Sequence, residues 1–266
     1  GTAAEAAIAA LIAVYAIAAW FNLRIPHTGV EMRPLRGTPQ SSVLGSALTL
    51  LPDFWACNAR LWRDRLGQIS LSTTTLFWGA GGNLKFIVLA WAAVALGYDT
   101  TQASALTGVV AIGTAAGAVL ASMRMRLEVA TKVIPLGIAM GLLLILMVFI
   151  SNIWVAIPFL IVLGGLGGFL VVPMNALLQH RGHNLMGSGR SIAVQNFNEQ
   201  AAILGLGAFY SLSLKLGLSV FGAITVFGVV VAGTMWLIRR WHCYNCRHHT
   251  EEIEHLLQIA RQDTHR

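Results

Sequence analysis

Charge is what this sequence has least of. Only 11% of its 266 residues are Asp, Glu, Lys or Arg, against 56% hydrophobic, and the mean hydropathy is +0.68. Soluble domains carry about 25% charged residues, so an ordinary soluble fold is excluded and an integral membrane protein is implied. Also absent are a phosphate-cradling glycine loop, a metalloprotease helix and a nucleophile turn. Nothing in the chain therefore supports an ATP-driven pump, and neither an enzymatic activity nor a cofactor is expected. The three cysteines, Cys57, Cys243 and Cys246, are an odd number. All three fall in segments expected on the cytoplasmic side, which predicts reduced thiols. No basic region precedes the first apolar run and residue 1 is glycine. A signal peptide is not expected, and the chain reads as a piece of a longer protein.

What is present is a series of long apolar runs. A span needs about 20 mostly apolar residues, and stretches near 6–23, 69–97, 104–122, 133–151, 153–178, 191–213 and 217–238 qualify. They are continuously apolar and too long for tilted strands, which predicts helices. The fold class expected is all-α, a polytopic membrane protein of about seven transmembrane helices. The net charge of +7 does not point to nucleic acid, because the basic residues gather at the ends of the apolar runs. Arg24, Arg33, Arg36, Arg60, Arg63 and Arg65 follow the first run; Arg124, Arg126 and Lys132 follow the third; Arg181 and Arg190 follow the fifth; and Arg239, Arg240, Arg247, Arg261 and Arg266 close the chain. The alternate links hold only Lys215. This alternation predicts that the long loop and the tail are cytoplasmic.

Four parts are expected: a transmembrane helix at 1–23, a cytoplasmic linker at 24–68, a six-helix bundle at 69–240 and a cytoplasmic tail at 241–266. In the linker, Val43, Leu44, Ala47, Leu48 and Leu51 fall on one helical face. Phe54, Trp55, Ala59 and Trp62 follow among arginines, the pattern of an amphipathic helix on an anionic leaflet. Glycines recur four apart as Gly113/Gly117, Gly137/Gly141 and Gly164/Gly168, which reads as close helix packing in lipid. Pro135, Pro158 and Pro173 are candidate kinks.

Lys85 stands out. It lies deep in the second run, in Phe77-Trp-Gly-Ala-Gly-Gly-Asn-Leu-Lys-Phe86. A charge at the bilayer centre costs about 2.5–3.5 kcal/mol on insertion scales, so a residue of this kind reads as an anion-binding group in a cavity. Helical spacing puts Trp78, Gly81, Gly82, Lys85 and Leu89 on one face. The other deep charge is Glu199, in Gln195-Asn-Phe-Asn-Glu-Gln200; this polar face must line a cavity or another helix. Lys85 and Glu199 are candidates for a pair. The tail carries His242, Cys243, Cys246, His248 and His249. That is half of a metal-like pattern, read here as a solvated basic tail with no metal, followed by a short amphipathic helix at 250–260.

The runs Leu76–Gly81, Gly167–Gln179 and Gly187–Asn196, with Glu199 after them, resemble the bacterial lysophospholipid transporters of the LplT family, within the major facilitator superfamily. The resemblance covers nearly all of residues 6–240. It implies a major facilitator-type six-helix bundle with one preceding helix, the C-terminal half of a twelve-helix protein whose N-terminal half would be a partner. It implies transport of lysophospholipid, chiefly lysophosphatidylethanolamine, from the outer to the inner leaflet of the bacterial inner membrane, where a cytoplasmic acyltransferase remakes the diacyl lipid. Lys85 would meet the phosphate, where the family often carries arginine; lysine lacks the arginine fork. Gln195, Asn196 and Glu199 would meet the ethanolamine or shape the polar path. The acyl chain would lie in an apolar groove beside Trp78 and Phe77, and Asn83 is a further candidate substrate-binding residue. Two other readings fit the residues: an exporter of drugs or other amphiphiles, and a membrane anchor for an acyltransferase.

Overall fold

The structure, a computed structural model, describes residues 3–25 and 43–264. Arg33, Arg36 and Arg266, and the side chains of Val43, Leu44, Ala47 and Leu48, lie outside the described residues. The described elements are all helical: α1 (Ala3–Leu23), α2 (Val43–Arg63), α3 (Gly67–Ala95), α4 (Thr100–Arg124), a 3-10 segment Leu127–Val133, α5 (Ile134–Met147), α6 (Ile153–Met186), α7 (Ser188–Lys215), α8 (Val220–His248) and α9 (Thr250–Thr264). Among the described residues, six helical segments are long and apolar enough to cross a membrane. The protein is thus an all-α polytopic membrane protein. The sixth expected span, 191–213, forms α7, 28 residues long, but the polar residues of its first half keep it out of that set.

The chain divides into two compact units, Gly1–Leu50 and Leu51–Arg266. In the first, α1 exposes its apolar side chains along its whole described length, with Ile12, Tyr15 and Phe21 all more than half exposed. Its 21 residues rise roughly 32 Å, enough to cross a hydrocarbon core. Arg24 closes it by stacking 3.9 Å over the Trp20 ring.

The second unit is a bundle held by glycine seams. A Cβ at Gly113 or Gly117 would collide with the backbone of Ile161 or Gly165, and one at Gly164 or Gly168 with Val110 or Thr114. The glycines of α4 and α6 therefore interlock. In α5, Gly141 packs in the same way against the backbone of Ala232 in α8, and Gly137 makes room for the Met235 side chain. Close approach supplies the dispersion contacts that the hydrophobic effect does not supply between helices in lipid. Gly168→Val is accordingly expected to cut the yield of monodisperse protein by roughly half or more, since overpacking cannot relax against backbone. Gly165→Ala, whose Cβ would sit 3.6 Å from the Gly113 carbonyl, is expected to leave it unchanged. Size-exclusion profiles of the two variants check this; equal profiles would refute the seam.

Outward, Ile112, Val119, Phe149 and Trp154 stand more than half exposed, the apolar belt a lipid-facing surface needs. The hydroxyls at the start of α3 turn back on their own helix: Ser72 donates to Gln68 O at 2.6 Å and Thr73 to Ile69 O at 2.8 Å. That satisfies them without a partner helix.

Two segments differ from expectation. The last turns of α2 are built into the bundle: Cys57 and Leu61 are buried with Leu71, Leu178 and Val194. The tail is not simply solvated. Helix α8 continues to His248, past the expected boundary at 240. Helix α9 then folds back, placing Ile253 and Leu256 among Leu66, Ala130 and Leu177. Its charges join in, Arg261 to Glu128 at 3.7 Å and Glu252 to Arg65 at 3.6 Å. The 250–260 amphipathic pattern supplied the apolar stripe; only the fold supplies the surface that covers it.

Candidate functional site

Helices α3 and α7 run parallel. Gly79 faces Ala202 and Leu206, Gly82 faces Ile203, and further along Asn83 faces Gly207. Asn83 is the bolt of this seam. Its buried amide donates to Gly79 O at 2.8 Å and across to Ile203 O at 3.0 Å. Asn83 is therefore engaged between helices and does not line the recess beside Lys85.

Lys85, two residues on, is turned about 200° from Asn83 on the helix. It is exposed and, with Gly81, Leu84 and Val88 of α3 and Thr107, Val110 and Ala111 of α4, lines a cavity of 150 Å³. Its Nζ lies 4.8 Å from the Phe86 ring centroid. Among the described residues no carboxylate pairs with it. The cavity is apolar apart from Lys85 and Thr107, the combination an amphiphile with an anionic group would use. Of the expected glycine pair, Gly81 borders this space, while Gly82 is used up against Ile203. Trp78 stays 38% exposed and lies edge-on to Phe77 at 5.4 Å between ring centroids.

The polar start of α7 divides into three directions. Gln195 and Glu199, both buried, turn toward α6: the Gln195 amide donates to Glu199 Oε1 at 2.8 Å and to Asn175 Oδ1 at 3.0 Å. Asn198 turns toward α2 and donates to Asn58 Oδ1 at 2.9 Å. Asn196 and Gln200 are exposed. The candidate pairing of Lys85 with Glu199 does not occur. The parallel register sets Lys85 level with about residue 208, roughly 13 Å along the axis from Glu199; Lys85 borders the recess against α4, whereas Glu199 is held by Gln195.

Sequence reasoning missed a buried ion pair. Arg181, read as a loop cation, lies inside α6, which runs on to Met186. Its guanidinium donates to both carboxylate oxygens of Asp64, Nε at 3.1 Å and Nη2 at 2.5 Å. Their side chains are only 5% and 8% exposed. Asp64 also accepts from Gly67 N at 2.7 Å, so one carboxylate starts α3, ends α2 and anchors α6. The available sign was a single acid among Arg60, Arg63 and Arg65. In the tail, His242 lies 3.7 Å from Cys246 Sγ, but among the described residues no three His, Cys, Asp or Glu side chains gather as a metal site would require.

The curated relatives that the chain matches are longer proteins. Over 239 residues the chain is 38% identical to a protein of Serratia proteamaculans (strain 568) named lysophospholipid transporter LplT, covering 88% of this chain and 58% of that protein. Over 213 residues it is 39% identical to proteins of the same name from Yersinia pestis (strain Pestoides F) and Yersinia pseudotuberculosis serotype I (strain IP32953), covering 80% of this chain and 50% of each. No family model and no solved structure matches. The chain spans about half the length of the curated relatives it matches, and over most of its own length it is a homologue of transporters of this name.

Proposed function

From that kinship we propose that this chain is the C-terminal part of a lysophospholipid transporter, not an enzyme. The protein would carry lysophosphatidylethanolamine-type lipid from the outer to the inner leaflet of a bacterial inner membrane for reacylation. The observation that carries the reading is Lys85: an unpaired cation beside an apolar cavity, the one charged residue of α3, in a homologue of lysolipid transporters. A lysolipid phosphate supplies the missing anion and its single acyl chain the apolar contact. Gln195 and Glu199 fit a second polar station, one that an ethanolamine could visit.

The test is uptake of labelled lysolipid by proteoliposomes holding the full-length protein. Selective uptake of lysophosphatidylethanolamine over a cationic drug is expected. Drug export without lysolipid uptake would favour the exporter reading instead, and no transport of either would leave the anchor reading.

The proposed orientation puts α9 and the basic tail in the cytoplasm. Cys243 is the useful reporter, since it is exposed whereas Cys57 is buried. An impermeant thiol reagent is expected to label Cys243 in inside-out vesicles and not in intact cells. Labelling from outside would invert the orientation.

A further inference from the structure

The end of α8 offers a second polar site, separate from Lys85. Its apolar stretch stops at Ile238, and Trp236, Arg239, Arg240, Cys243, Tyr244, Arg247 and His248 then line a recess of 410 Å³. Their spacing of three, four and seven makes one continuous helical stripe. Arg239 and Cys243 also border a neighbouring recess of 240 Å³ that includes Lys132 and His242. No acidic side chain lines either recess.

The charges here are free, whereas several others at this end of the bundle are paired. Arg65, Arg126, Arg181, Arg190 and Arg261 each have a carboxylate partner. Among the described residues, Arg239, Arg240, Arg247 and Lys132 have none. Arg240 lies 4.9 Å over the Trp236 ring, and Tyr244 stacks on His248 at 4.0 Å. Stacking holds an arginine plane in place and leaves its edge donors available, the geometry that suits phosphate oxygens. The site also begins where the apolar helix ends, the depth at which tryptophan and tyrosine sit against lipid headgroups.

We propose that this stripe binds the phosphate headgroup of an anionic diacyl phospholipid. A soluble phosphate shares the chemistry, but the position at the end of an apolar span and the aromatic shelf favour a lipid. The excess of positive charge favours an anionic headgroup over a zwitterionic one. The proposal is independent of what Lys85 binds.

The full-length protein in neutral detergent, with Cys246→Ser to leave Cys243 as the exposed thiol, is titrated with short-chain phosphatidylglycerol, with phosphatidylcholine of the same chain length, and with inorganic phosphate. Melting temperature and the rate of Cys243 alkylation are followed. Phosphatidylglycerol is expected to raise the melting temperature and to slow alkylation several-fold, with little effect from the other two. The Arg239→Gln/Arg240→Gln/Arg247→Gln variant is expected to lose both responses, and the matching lysine variant to keep most of them. If the glutamine triple variant does not fold, Arg240→Gln and Arg247→Gln alone are each expected to weaken the protection. Equal protection by phosphatidylcholine, equal protection by inorganic phosphate, or unchanged protection in the glutamine variants would overturn the proposal.

Discussion

Lys85→Ala, in the full-length protein, is expected to lower lysolipid uptake by about ten- to a hundred-fold with membrane insertion intact. The size follows from the loss of one charge-assisted contact, about 1.5–3 kcal/mol, where each 1.4 kcal/mol is tenfold. Insertion should survive because Lys85 is exposed and makes no ion pair among the described residues; removing it leaves no buried partner stranded. Lys85→Arg should retain much of the activity, since the charge stays and a fork of donors replaces a point charge. Uptake rates measured on equal amounts of reconstituted protein decide the matter, and normal uptake by Lys85→Ala would remove the phosphate contact. The same experiment on Asn83→Ala should give a different signature. Asn83 joins α3 to α7, so its loss is expected to lower the melting temperature together with the transport rate.

The second large effect is expected at Arg181. Arg181→Met leaves the Asp64 carboxylate buried without its cation, and breaking a buried pair in this way costs about 3–5 kcal/mol. For a chain of this size that corresponds to a melting temperature lower by roughly 6–20 °C. Adding Asp64→Asn should recover part of the loss, because the amide oxygen can still accept from Gly67 N and no uncompensated charge remains. The recovery measures the coupling between the two residues. A single variant melting within about 2 °C of the parent, or a double variant worse than the sum of the singles, would show that the pair does not hold α2 to α6.

Membrane residence, helix number and the glycine seams were legible from the chain because each rests on local sequence. Twenty apolar residues in lipid must satisfy their own backbone hydrogen bonds, and a glycine every fourth residue marks a helix face that can be approached closely. Lys85 was legible for the same reason: one charge in a long apolar run is costly wherever the run sits. Arg181 was not, because its place at the end of an apolar stretch looks the same whether α6 stops there or continues another turn. The tail was half legible, its apolar stripe visible and its docking surface invisible.

The sequence by itself determined that this is a helical membrane protein with a lone cation, Lys85, inside an apolar run and a polar face at the start of α7, since composition and helical period act within one segment. Only the tertiary structure decided where those groups point. The parallel register of α3 and α7 spends Asn83 on a seam and separates Lys85 from Glu199 by roughly 13 Å along the axis. The continuation of α6 brings Arg181 onto Asp64, 117 residues away in the chain. Pairing across such distances depends on which helices lie side by side and at what register, and neither is written in the periodicity of any one of them.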